Sequence, residues 1–246
     1  MSLKVSNLTG GYSSIPVLKN ETFDVSNGEL VSLIGLNGSG KSTTINHIMG
    51  LMTPFSGTVT VNEIEITDDV EKYKQQIAYI PEMPVLYSDL TLREHIETTI
   101  MAYNLDKTEA WEKAQKLLTT FRLDNKLDWF PSNFSKGMRQ KVMIVCAFIT
   151  NAQLFVIDEP FLGLDPLAVN DLLKLIDEKK QAGASILMST HVLDTAEKYC
   201  DRFVLINDGS VSYEGTMAEI KDHYANLGNS LNDIYLSLAQ GDDSHG

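Results

Sequence analysis

Basic side chains are scarce in this chain. Lys and Arg number 20 against 33 Asp and Glu, a formal net charge of −13. Neutralising nucleic-acid phosphates needs the opposite balance, so the composition argues against a nucleic-acid partner. Cysteine is nearly absent, with Cys146 and Cys200 the only two. They show no metal-ligand spacing, and Cys146 lies inside an apolar run, where it reads as a small hydrophobe. Both facts fit a reducing cytoplasm. Long apolar runs are missing too. The longest, Val142 to Ile149, is far short of the ~20 residues that cross a bilayer. The opening MSLKVSNLTG has no apolar core of a secretory signal. There is no internal repeat and no low-complexity linker.

What is present is organised around ELVSLIGLNGSGKSTTINHIMG, Glu29 to Gly50. Leu30 to Leu36 predicts a short buried strand. Gly35, Leu36, Asn37, Gly38, Ser39 and Gly40 then turn into Lys41, Ser42 and Thr43, and Ile45, Ile48 and Met49 continue with helical spacing. This is G-x-x-x-x-G-K-[ST] in a strand–loop–helix setting, the phosphate-binding loop of nucleotide hydrolases. The glycines let the backbone curl around phosphates with its N–H groups inward. The helix start adds free N–H groups and a positive dipole end. Lys41 is placed to reach the β- and γ-phosphates of ATP, and the Ser42 hydroxyl to ligate Mg²⁺. A chance match in a chain of this length has a probability of about one per cent.

The 246 residues, 43% of them hydrophobic, suffice for one large α/β domain. Lys4–Asn7, Val17–Val25 and Ser56–Ile66 predict an antiparallel β region around the loop. Within it, Tyr12 in the turn GGYSS is either a half-exposed turn aromatic or a platform for adenine. Gln76–Ile80 is a further strand ending at Pro81-Glu82. Thr91–Tyr103, opened by a Thr91/Glu94 capping box, and Lys107–Phe121 read as helices. A helical insertion is therefore expected at about 83–142. Ser135 then caps an apolar helix that runs to about Thr150. Leu154 to Asp158-Glu159 predicts a buried parallel strand with two carboxylates at its C-terminal tip, the edge where open α/β sheets bind ligands. Asp158 is placed to hold Mg²⁺ through water, and Glu159 to orient or deprotonate the attacking water. A helix Leu167–Lys180 and a buried strand Ala184–Ser189 lead to Thr190-His191, where the imidazole could reach the γ-phosphate. An Asn207-Asp208-Gly209 hairpin follows. Helices Met217–Tyr224 and Leu231–Leu238 close a single domain, 1–239, and the polar 240–246 is expected to be disordered.

Together these blocks resemble the ATP-binding cassette family, the motor subunits of ABC transporters. Gly35–Ser42, Asp158–Glu159, Asp165 and His191 stand in that family's order and spacing. FSKGM at 134–138 occupies the place of its LSGGQ signature. The resemblance implies a P-loop NTPase core with an N-terminal antiparallel β subdomain and an inserted α-helical subdomain. It implies a head-to-tail homodimer with two ATP molecules in the interface. There Ser135 and Gly137 of one subunit face the phosphate loop of the other, and Asp165 lies at the contact. It further implies an integral-membrane permease subunit as partner, and residence at the cytoplasmic face of the membrane. Met83, Leu86, Tyr87 and Leu90, just after Glu82, are either a docking surface for that subunit or internal packing of the helical subdomain. Glu82 stands where the family usually carries a Gln that touches Mg²⁺ and the attacking water; it keeps an oxygen ligand for the metal and adds a negative charge. Lys136 and Met138 replace a Gly and a Gln of the signature. A soluble cassette ATPase acting on ribosomes or DNA is disfavoured by the acidity and by the single cassette. An ATP sensor without turnover is disfavoured by Glu159.

Overall fold

The chain begins as a hairpin, β1 (Leu3–Tyr12) and β2 (Ile15–Val25). In the computed structural model, residues 2–228 and 230–242 are described, with side chains through Ser237. Buried and open residues alternate along β1 until Asn7, whose φ of 51° marks a bulge and shifts the register between Val5 and Leu8. β3 (Leu30–Ile34) is buried throughout and feeds α1 (Lys41–Ile48). β4 (Ser56–Val61) and β5 (Ile64–Glu65) then return to the hairpin. The resulting antiparallel sheet has the order β2-β1-β4-β5.

The rest of the chain alternates helix and strand, the pattern of a parallel sheet. In order come α2 (Val70–Gln75), β6 (Ile77–Ile80), α3 (Leu92–Ala102), α4 (Lys107–Phe121) and α5 (Lys136–Phe148). They are followed by β7 (Leu154–Asp158), α6 (Pro166–Gln181), β8 (Ser185–Ser189), α7 (Leu193–Tyr199), β9 (Arg202–Asn207) and β10 (Ser210–Gly215). The chain ends in α8 (Met217–His223) and α9 (Leu231–Asp242). The second sheet has the order β10-β9-β3-β8-β7-β6, with only β10 antiparallel to its neighbour. β3, β7 and β8 are covered on both faces. Their near-continuous apolar runs follow from that.

Two apolar layers position the site. One joins the sheets, with Leu3, Val5 and Val61 packed against Val31, Leu33 and Val156, and with Ile45 and Ile48 of α1. At ~1.5–3 kcal/mol for each such side chain, the two isoleucines pin α1, so the loop before it has a fixed end. The other layer seats α3, α4 and α5 against the far face of the parallel sheet through Ile96, Phe121, Val145 and Phe155.

The helices between β6 and β7 are the expected helical insertion, and α5 runs unbroken across residue 142. The Thr91/Glu94 capping box is formed. Asp208 and Gly209 have φ of 45° and 75°, both positive, as a two-residue primed turn demands. Two helices lack any counterpart in the sequence reading, α2 and α7. α9 extends past Leu238 to Asp242, into the stretch expected to be disordered. Residues 243–246 lie outside the described residues.

Candidate active site

The parallel register sets the site. Asp158 pairs with Ser189 and Ile157 with Met188, while Leu33 on the other side of β8 also pairs with Ser189. The C-terminal tips of β3, β7 and β8 therefore meet at one edge, and the loops leaving them line one cleft. The cleft holds about 300 Å³ and is lined by Asn37, Gly38, Lys41, Ser42, Glu82, Asp158, Glu159 and His191, together with Gly40 and Thr43.

The phosphate loop spans β3 to α1. Gly40 has φ of 118°, outside the range of an ordinary L residue, and caps the helix. Gly35 is dictated by contact, since a Cβ there would lie 2.4 Å from both Ile206 O and Ser39 Oγ. Ser39 is buried inside the loop and its carbonyl accepts from Gly209 N at 2.8 Å. The primed turn of the β9–β10 hairpin thus braces the loop from behind. Lys41 is buried along its stem, and its ammonium donates to Gly35 O at 2.6 Å and Leu36 O at 3.0 Å. Burial pulls its pKa below the ordinary lysine range, against the attraction of Glu159, Asp158 and Glu82. Ser42 is exposed to the cleft.

Opposite stand the two acids. Asp158 is buried at the tip of β7, and burial raises its pKa, opposed by a hydrogen bond from Ser189 Oγ to Oδ1. Glu159 follows with φ of 47°, a left-handed conformation that strains a non-glycine residue and turns its carboxylate back over the cleft. Its N–H donates to Ser189 O and Ser189 Oγ, at 3.1 and 3.2 Å. Its Oε2 accepts from His191 N at 3.0 Å. Its Oε1 lies 3.2 Å from His191 Nε2 without hydrogen-bond geometry, so it is buried and accepts no bond. Burial raises the pKa of Glu159 as well, countered by the His191 N–H. A carboxylate whose pKa is raised by burial, held beside a phosphate loop, is suited to accept a proton from water.

Among the described residues no three His, Cys, Asp or Glu side chains converge as metal ligands. A hydroxyl at Ser42 and a carboxylate at Asp158 do fit Mg²⁺, which takes one or two protein oxygens and completes its shell with water and phosphate. Glu82 is on the same cleft and exposed.

Three expected site regions lie apart from the cleft lining. Tyr12 closes β1 opposite Ile15, with its side chain 57% exposed. Ser135 caps α5 and accepts from Met138 N at 3.3 Å. Gly137 packs against the loop after Glu159, and a Cβ there would lie 2.3 Å from Gly163 O. Asp165 is bound within its own chain. It accepts from Ala168 N at 2.9 Å as the cap of α6, and from Lys141 Nζ at 2.7 Å. These contacts hold its pKa down at about 2, with the Lys141 bond the largest cause. Ser189, which ties both acids to β8, was missed in the sequence. Its only local signal is a hydroxyl at the end of an apolar run, two residues before His191.

The family model for ABC transporters matches residues 18–162. The ABC-type transporter ATP-binding protein EcsA of Bacillus subtilis (strain 168) is 51% identical over 243 residues, covering 99% of this chain and 98% of that protein. A solved ATP-binding subunit of an ABC transporter superposes with a TM-score of 0.94 at 51% identity, over 97% of this chain and 100% of that one. The dimeric post-hydrolysis cassette MJ0796, bound to ADP and Pi, superposes at 0.77 with 27% identity, over 87% and 98%. No helix of the described residues is long and apolar enough to cross a membrane.

Proposed function

The chain belongs to the ABC transporter family as an ATP-binding, ATP-hydrolysing subunit, and from that premise we propose how its residues divide the work. ATP lies with its phosphates in the loop Gly35–Thr43 and its adenine on Tyr12. Lys41 exchanges its contacts with Gly35 O and Leu36 O for β- and γ-phosphate oxygens. Ser42 and Asp158 would hold Mg²⁺, with Glu82 beside them, and the ion would neutralise phosphate charge. Glu159 accepts the proton of the attacking water, and His191 contacts the γ-phosphate. The observation that carries this reading is the convergence of Lys41, Ser42, Asp158 and Glu159 on one cleft, with Glu159 facing the His191 imidazole at 3.2 Å.

Two subunits pair head to tail, each offering Ser135 and the N-terminus of α5 to the ATP of the other, with Asp165 near the contact. ATP joins the halves by charge-assisted hydrogen bonds, and hydrolysis removes them, a ligand-driven switch. The motion passes to an integral-membrane permease. Met83, Val85 and Tyr87, each more than two-thirds exposed, form an apolar surface directly after Glu82. Of the other docking candidates, Leu86 packs against the core and Leu90 is half-buried. The likeness to EcsA favours an Ecs-type (EcsB-like) permease, an exporting direction, and a position at the cytoplasmic face of the membrane.

Glu159→Gln and Glu82→Gln test the assignment together. Glu159→Gln keeps the side chain's length but takes no proton, so hydrolysis should fall by ~10²–10⁴. The variant should collect as an ATP-bound dimer that ADP does not support. Glu82→Gln should turn over. The reverse pattern would make Glu82 the base and overturn the proposal.

A further inference from the structure

A groove of about 580 Å³ lies between α4 and α6, sharing no lining residue with the nucleotide cleft. Its floor is Leu117 of α4 and Phe148 at the end of α5, 8% and 3% exposed and part of the core, with Leu175 of α6 half-buried beside them. Four lysines stand along it, Lys113 and Lys116 on α4 and Lys174 and Lys179 on α6. In a chain with 33 acids and 20 bases, none of these four forms an ion pair among the described residues. Lys113 Nζ donates to Asn151 Oδ1 at 2.8 Å, and Lys179 Nζ to Thr150 O at 3.1 Å. Both partners are neutral. Of the two acids on the lining, Asp171 is held by Arg122 at 3.3 Å, and Glu178 lies one turn from Lys174. Burial, with Lys113 as neighbouring charge, lowers the pKa of Lys179 to about 8.

We propose that this groove binds an acidic amphipathic helix of a partner protein. Two antecedents carry the choice. The floor between the two helices is apolar, and its open part, the half-buried Leu175, offers a helix-in-groove site an anchor point. The rims are cationic, so the flanks of the bound helix must be acidic. The length agrees: Lys113 to Thr120 is two turns of α4, roughly 10 Å, and Asp171 to Lys179 is roughly 12 Å of α6. A helix of two to three turns fills that span. A bilayer surface is flat and does not enter a concave groove. The bound helix would bridge the helical insertion, through α4, and the core, through α6.

The test uses the full chain and a designed 14-residue peptide with Leu on one helical face and Glu on its flanks. Binding is read by fluorescence anisotropy, with backbone amide shifts locating it. Binding with shifts confined to α4, α5 and α6, weakened at least tenfold by Lys116→Glu/Lys174→Glu, supports the proposal. Both lysines are exposed and outside the nucleotide cleft, so ATP hydrolysis by the double variant should match the parent. Equal binding of a scrambled peptide would reduce the groove to a charge attractor and overturn it. So would the absence of binding or shifts elsewhere. Sedimentation with vesicles of anionic lipid, lost in the same variant, would assign the lysines to a membrane instead and also overturn it.

Discussion

Glu21 is a carboxylic acid with no exposed surface, on β2 beneath the helix that carries Lys41 and Ser42. Its Oε2 accepts from Thr44 Oγ1 at 2.8 Å, and its Oε1 has no hydrogen-bond partner. Thr44 itself is buried on α1, so the bond ties Glu21 to the helix. Burial raises the pKa of Glu21 from 4.5 to about 7, with the Thr44 bond opposing. Between those values the folded chain holds a proton that the unfolded chain has released. Glu21 therefore favours folding most below pH 4.5, and that contribution is lost as pH rises through about 7. At roughly 1.36 kcal/mol per pH unit, the window is worth ~3 kcal/mol. Glu21→Gln removes the titration, at a cost of ~1–3 kcal/mol for a buried amide left without an acceptor. The variant should thus be less stable than the parent near pH 5, and equal or more stable near pH 8. Urea unfolding of both proteins across that range measures the difference, and groups that titrate alike in both cancel. A stability difference that stays constant with pH would refute the reasoning, because it would mean that Glu21 holds the same proton occupancy folded and unfolded.

Gly209→Ala puts a Cβ 1.7 Å from Val17 O at φ of +75°. It should cost ~1–3 kcal/mol of stability and, by moving the bond to Ser39 O, raise KM for ATP more than it lowers kcat. Mixing Ser135→Ala with Lys41→Ala subunits builds dimers with one site carrying both lesions and one carrying neither. Partial recovery of hydrolysis is expected, and no recovery with proven subunit exchange would count against the head-to-tail pair. Tyr12→Ala should weaken ATP binding by ~1–3 kcal/mol and Tyr12→Trp should preserve it. Equal affinities in a nucleotide titration would remove the adenine platform.

The parts legible in the sequence are those whose physics is local. The phosphate loop needs particular backbone angles at particular positions, so glycine marks it. The carboxylates of Asp158 and Glu159 end a run buried on both faces, and the Asp208-Gly209 turn needs two positive φ values, so each announces itself. α2 and α7 are six and seven residues long, so little of a helical period shows; α8 is equally short but opens on a Thr216/Glu219 capping box. α7 also starts at Val192 with no capping side chain. Ser189 and Glu21 act through contacts across 31 and 23 residues of chain. No spacing rule reaches that far, because the partner is chosen by sheet register and by helix seating.

Asp165 and Gly137 show how a residue can match a family position and still answer first to its own fold. Gly137 is required in cis, because any side chain would strike Gly163 O. Asp165 spends one oxygen on the start of α6 and the other on Lys141 of α5. The loop that leaves Glu159 is therefore fastened to α5 at two points, Gly163 on Gly137 and Asp165 on Lys141. Its free end is the strained Glu159 backbone, tied to Ser189. If the partner's nucleotide sits on the N-terminus of α5, a shift of that helix reaches this loop through these two contacts. Packed contacts of this kind move as a unit rather than stretching. The position of the proposed base would then depend on what the opposite subunit holds, and two sites built this way would not hydrolyse independently.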